Sequence, residues 1–176
     1  LYFCGGFREG DSVPFFISMI KEMIRKEHIV ELSEAFLKDS ANYLIDVNVR
    51  SGNRISIFIE NDEHVSIKDC IALSKHIESQ LDREQQDFEL EVSSPGIDSP
   101  FRHERQFTKY VGKEIEILMS NGDKFSGELL GCDSESIQYL PSKKGRSKKI
   151  DKSTNSKETM TVLLSEVKET RLVITI

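Results

Sequence analysis

The stretch that decides how this chain reads is Phe88-Glu89-Leu90-Glu91-Val92-Ser93-Ser94-Pro95-Gly96-Ile97-Asp98-Ser99-Pro100. Phe88, Leu90 and Val92 alternate with Glu89 and Glu91, a period of two that makes a β-strand with one apolar and one acidic face. The strand has to stop at Ser93-Ser94. Pro95 fixes its own φ, removes a backbone donor and pushes its predecessor toward an extended shape, while Gly96 permits a positive φ. Two of the chain's four prolines fall between residues 95 and 100. Residues 98–111 are therefore expected to be a shaped connection between two domains.

Upstream, Ile24, Leu32, Ala35 and Phe36 suit one face of a helix from about residue 16 to Lys38. Tyr43, Ile45, Val47 and Val49 alternate with mostly polar residues. Ser51-Gly52-Asn53 supplies a turn, and Ile55, Ile57 and Ile59 alternate again, so the pair predicts a β-hairpin. Ser66, with Asp69 three residues on, opens a second helix whose stripe is Ile67, Cys70, Ile71, Ser74, Ile77 and Leu81. With the strand at 88–92, the order over residues 16–97 is α-β-β-α-β, a layered α/β domain within an α+β protein. Residues 1–15 are set apart because Leu1-Tyr2-Phe3 is reminiscent of a cleavable tag, and Met19 or Met23 is a candidate native start.

Downstream the texture changes to short strands over residues 112–176. They are expected at Glu114–Met119, Lys124–Leu130 after an Asn121-Gly122 turn, Ser136–Leu140, Thr159–Leu163 and Arg171–Ile176. Five short strands with tight turns predict a small SH3-like or Sm-like barrel. The intervening segment 141–158 is strongly basic, with Lys143, Lys144, Arg146, Lys148, Lys149, Lys152 and Lys157 against Asp151 and Glu158. Such a tract contacts phosphates by counterion release, which makes Lys143, Lys144, Arg146, Lys148 and Lys149 candidate RNA contacts. It equally suits a solvated insertion between strands, since no aromatic residue interleaves to stack on bases.

The chain of 176 residues is 38% hydrophobic and 31% charged, with no uninterrupted apolar run of membrane-spanning length. Its net charge of -6 is divided unevenly. Residues 1–100 hold 10 Lys and Arg against 19 Asp and Glu, whereas residues 101–176 hold 14 against 11. An acidic first half repels nucleic acid and attracts a basic protein, although the same charge also suits an ordinary solvated surface. Cys4, Cys70 and Cys132 are odd in number and widely spaced, which fits a reducing cytoplasm better than a disulfide framework or a zinc site. Of the four histidines, none lies in a HExxH motif, and no P-loop, GxGxxG, nucleophile elbow or CxxC is present, so no catalysis, metal or cofactor is expected.

The motif running from Phe88 to Phe101, followed by Phe107 and Tyr110-Val111-Gly112-Lys113-Glu114, resembles the signature of the bacterial ribosome maturation factor RimP family. Val65-Ser66-Ile67-Lys68-Asp69-Cys70 with Leu73-Ser74, and Phe125-Ser126-Gly127-Glu128-Leu129-Leu130-Gly131, resemble further parts of it. Two features depart from the family: Ser99 stands where relatives are commonly basic, and the Lys-rich insertion is longer than in many members. The resemblance implies a non-enzymatic, cytoplasmic factor that binds the free small ribosomal subunit, promotes its assembly and helps install the basic ribosomal protein S-twelve. Glu89, Glu91, Ser93, Ser94, Pro95, Gly96 and Asp98 are then the candidate partner-binding residues. The barrel region lacks the Met-Asn and Arg-Gly signatures of ring-forming Sm proteins, so a monomer is expected. A freestanding Sm-like RNA-binding regulator is the alternative, distinguished by oligomerisation and by RNA affinity in the isolated barrel.

Overall fold

The computed structural model describes residues 24–142 and 158–174. The expected segment 1–15, the start of the first helix and most of the basic insertion lie outside the described residues. Helix α1 spans Lys26–Leu37, followed by an antiparallel hairpin of β1 (Asn42–Arg50) and β2 (Arg54–Asn61). Gly52 and Asn53 both take positive φ, 81° and 54°, which closes the hairpin. The Asn53 amide donates to the Asp87 carbonyl at 3.0 Å and so ties the turn to the entry of the third strand. Helix α2 (Ile67–Gln80) begins with the expected capping box, Ser66 and Asp69 each bonding the other's backbone N–H. Strand β3 (Glu89–Ser93) returns parallel to β2, giving the sheet order β1-β2-β3.

The α-β-β-α-β order is as expected, but both helical stripes differ from the sequence reading. In α1 the buried face is Ile29, Ser33 and Leu37, with Leu32 half-buried, while Ala35 and Phe36 are exposed. Ser33 is tolerated in the core because its hydroxyl donates to the Ile29 carbonyl at 2.7 Å. In α2 the deepest residues are Leu73 and Ile77, whereas Ile67 is 79% exposed and Ile71 48%. These side chains close a core with Val47, Ile55, Ile57, Ile59 and Phe88. Burial of a set of this kind at roughly 25 cal/mol per Å² is the main force holding helices to sheet.

Within the expected connection lies a short helix that periodicity did not reveal, α3 (Glu104–Lys109). The His103 ring nitrogen and the Gln106 side-chain oxygen cap its start reciprocally. Phe101, Phe107 and Tyr110 then join a second core with Ile115, Ile117, Leu129, Ile137 and Tyr139. Phe101 meets Phe107 edge-on at 5.1 Å and stacks on Tyr110 at 5.2 Å.

The second sheet contains β4 (Glu114–Met119), β5 (Lys124–Cys132), β6 (Ser136–Pro141), β7 (Met160–Leu163) and β8 (Val167–Leu172), in the order β7-β6-β5-β4-β8. The last strand starts four residues earlier than expected, because a 3-10 turn at Leu164–Glu166 returns the chain alongside β4, where Val167 pairs with Met119. Gly127 is required where β5 crosses β6, since a Cβ there would run into the Leu140 carbonyl. β7 and β8 are edges that do not pair with each other among the described residues, so the sheet is open where a closed barrel was expected. No helix among the described residues is long and apolar enough to cross a membrane.

Candidate functional site

The polar face of β3 carries the two carboxylates singled out from the sequence. Glu89 and Glu91 are both exposed and point the same way from the strand, opposite Arg54 and Ser56 of β2. Arg54 Nε lies 3.2 Å from Glu89 Oε2, so one of the two charges is partly answered. Glu91 enters no ion pair among the described residues. Ser93 ends the strand beside Phe58, and Ser94, Gly96 and Asp98 are exposed in the connection that follows, with Pro95 half-buried.

The Ser99 amide donates to the Gly96 carbonyl at 2.8 Å, which closes this segment as a turn. Gly96 does not use a positive φ. A Cβ at Gly96 would meet only the movable ends of Asp98 and Ser99, so the path of the chain does not depend on glycine there. The seven candidate partner-binding residues thus form one continuous strip along β3 and its exit. The RNA-contact candidates Lys143, Lys144, Arg146, Lys148 and Lys149 fall outside the described residues.

Sequence reasoning missed the polar seam that α3 makes with the first sheet. Arg105 grips Asp62 through both carboxylate oxygens, at 3.0 and 2.6 Å, and also donates to the Ala41 carbonyl at 3.2 Å. Its guanidinium lies 4.0 Å above the Tyr43 ring, whose other neighbour is the His103 ring at 4.7 Å. Lys109 Nζ reaches Glu60 Oε1 at 2.9 Å and the Asn61 carbonyl at 2.8 Å, with only 14% and 8% of the two charged side chains exposed. Arg102 approaches Asp46 at 3.7 Å.

The Arg105 hydrogen bond holds the Asp62 carboxyl below its usual range. At Asp46, burial works the other way but is outweighed by the hydrogen bond and charge of Lys26 and the charge of Arg102, so this pKa is lowered too. Tyr43 is raised, first by burial and then by Glu60. The signal available in the sequence was His103 with Gln106 three residues on, an N-terminal capping pattern with an unusual cap residue.

A cleft of about 380 Å³ opens between α3, the β5–β6 turn and β8, with Phe101, Phe107, Cys132, Leu164, Val167 and Thr170 in its wall. Burial, then Asp133 and Glu104, push the Cys132 thiol up to about 11, and burial with Asp69 raises Cys70. Both thiols are therefore protonated at neutral pH and poorly nucleophilic. Among the described residues no group of His, Cys, Asp and Glu is arranged to hold a metal ion.

Residues 32–98, covering the second half of α1, all of α2 and the whole first sheet, match the model of the RimP N-terminal domain. The chain is 32% identical over 147 residues to the ribosome maturation factor RimP of Porphyromonas gingivalis, an alignment covering 84% of this chain and 97% of that protein. It is 40% identical over 114 residues to the protein of the same name from Christiangramia forsetii, covering 64% and 74% respectively. A third such factor, from Flavobacterium psychrophilum, is 41% identical over 96 residues, covering 54% and 62%. An α-β-β-α-β layer matched by the RimP N-terminal domain model, in a chain that covers 97% of the Porphyromonas gingivalis factor at 32% identity, shows that the chain belongs to the ribosome maturation factor RimP family.

Proposed function

We propose that the protein is a non-enzymatic cytoplasmic maturation factor that binds the free small ribosomal subunit and promotes its assembly by helping incorporate ribosomal protein S-twelve. The observation that carries this reading is the exposed carboxylate strip of β3 and its exit, set within a chain whose relatives are named ribosome maturation factors. An exposed acidic row steers a Lys- and Arg-rich protein toward it and repels competing nucleic acid. In this reading the two units act as domains, 16–97 and 112–176, joined through 98–111. The second is an Sm-like module whose open sheet and Lys-rich insertion lie against RNA or a neighbouring protein, and the factor works as a monomer.

Cosedimentation tests it. The purified chain is expected to travel with free small subunits and not with complete ribosomes. Equal partition between the two, or failure to bind either, sinks the reading.

A further inference from the structure

Among the described residues the outer edge of β3 is unpaired, and its surroundings define the chemistry that would fit it. The Glu89 amide donates to the Asn53 carbonyl at 3.1 Å, so Glu89 turns its backbone groups toward β2. Alternation along a strand then turns those of Leu90 and Val92 outward. The preceding outward carbonyl, that of Phe88, is already taken by Arg83 Nη1 at 3.1 Å. The N–H and C=O groups of Leu90 and Val92 have no partner among the described residues.

Above this edge lies the overhanging flank of α2. Helix α1 packs over β1 and α2 over β3. The Phe36–His76 ring contact at 4.7 Å marks the flank of α2 that faces α1. At about 100° per residue, Ile67 and Ile71 lie on the opposite flank, beyond the sheet. α2 runs antiparallel to β3, so these isoleucines stand near Val92, while Glu78, bonded to Arg83, stands near the strand's beginning. Below the edge project Glu89 and Glu91. Arg54 and Arg83, the cations beside the edge, are both engaged in ion pairs, and Lys68 and Lys75 lie on the outward face of α2.

We propose that this edge accepts an extended segment of a basic ribosomal protein as a fourth strand. Backbone bonding to Leu90 and Val92 sets the segment's register. Its alternate residues are apolar, packing against Val92, Ile67 and Ile71, and the residues between them are Lys or Arg, facing Glu89 and Glu91. The inference rests on the proposed function and supplies the form of recognition. A second copy of the chain is a poorer occupant, because its own Glu89 and Glu91 would meet like charges across the new ladder.

The probe is a short peptide alternating lysine and valine, compared with an isomer of the same composition whose lysines are grouped at one end. Both are added to the full chain, with amide hydrogen exchange read at each residue. With free alternating peptide at ten times its Kd, exchange at Leu90 and Val92 is expected to slow by about tenfold, and the grouped isomer is expected to bind far more weakly. Val92→Pro removes one outward donor without touching a β2 bond and should abolish the protection. Ile71→Lys, at a half-exposed position where folding is spared, should weaken binding several-fold.

Equal binding of the two peptides, unchanged exchange at Leu90 and Val92, or protection that grows with protein concentration in the absence of peptide would each overturn the proposal. Cosedimentation with free small subunits is measured in parallel. Its absence overturns the proposed function, whereas unprotected Leu90 and Val92 in a chain that does cosediment overturn strand addition alone.

Discussion

Two rows of carboxylates decorate the same three-stranded sheet, and the protein treats them in opposite ways. At the end where β1 begins and β2 finishes, Glu60 and Asp62 meet Lys109 and Arg105, and midway along β1 Asp46 meets Arg102, all three cations coming from the α3 region. Along β3, Glu89 has one exposed arginine beside it and Glu91 has none. The first row is internal structure and the second is available surface. Net charge does not separate these cases. What separates them is whether the chain brings its own cations to the site, so an acidic composition reports partner binding only after the internal pairs have been subtracted.

The largest break in this contrast is expected at Lys109. Because Glu60 is only 6% exposed, Lys109→Met leaves a buried carboxylate without its cation and should cost about 3 kcal/mol or more. Denaturant unfolding of the full chain would measure it. Adding Glu60→Gln should recover much of the loss, and failure to recover would mean that Lys109 acts through its Asn61 contact instead.

A smaller effect is expected from Arg105→Ala, since Arg105 and Asp62 are partly exposed and water screens the pair. Its signature is geometric. Small-angle scattering should show a wider spread between the two halves with little change in unfolding midpoint.

Acid should loosen the same seam. Asp62 and Asp46 have folded pKa values below the ordinary 3.8. Their stabilisation is present above that value and is lost as pH falls through the lowered ones. Chemical shifts of Tyr43, followed from about pH 5 down to about pH 2, should move as the carboxylates protonate and should move less in Asp62→Asn.

On the open row, Glu89→Lys with Glu91→Lys should change stability by less than about 0.5 kcal/mol while slowing association with a basic ribosomal protein at low salt. Wild-type association kinetics in a folded double variant would return β3 to the ordinary solvated surface. The smallest effect is expected at Gly96→Ala. The glycine has no positive φ, and its added Cβ would meet only side chains free to move, so scattering and stability should both stay as they are. A change in scattering would transfer control of the halves from α3 back to the connection.

Local chemistry made much of this architecture legible in advance. Period-two alternation located β1 to β3 closely, the Asn121-Gly122 turn located β4 and β5, Ser66 with Asp69 marked the start of α2, and Gly52-Asn53 marked the first hairpin. These features depend on neighbours a few residues apart, and the chain carries that information directly. Helical faces were harder. Ile67 and Ile71 look like core residues in a stripe, yet α2 lies over the edge strand and has one flank with no sheet beneath it.

By itself, the sequence determined the element order of the first layer, the end of β3 at Ser93, and an acidic strip alternating with an apolar one. The tertiary structure alone decided which carboxylates are spent internally. Arg105 and Asp62 are separated by 43 residues, and Lys109 and Glu60 by 49. No local periodicity joins such residues, because their pairing depends on how the chain folds back rather than on spacing along it. The structure also decided that the second sheet is open among the described residues and that the backbone groups of Leu90 and Val92 face outward. Whether a backbone group is satisfied depends on the strand beside it, and only the assembled sheet shows that no strand lies there among the described residues.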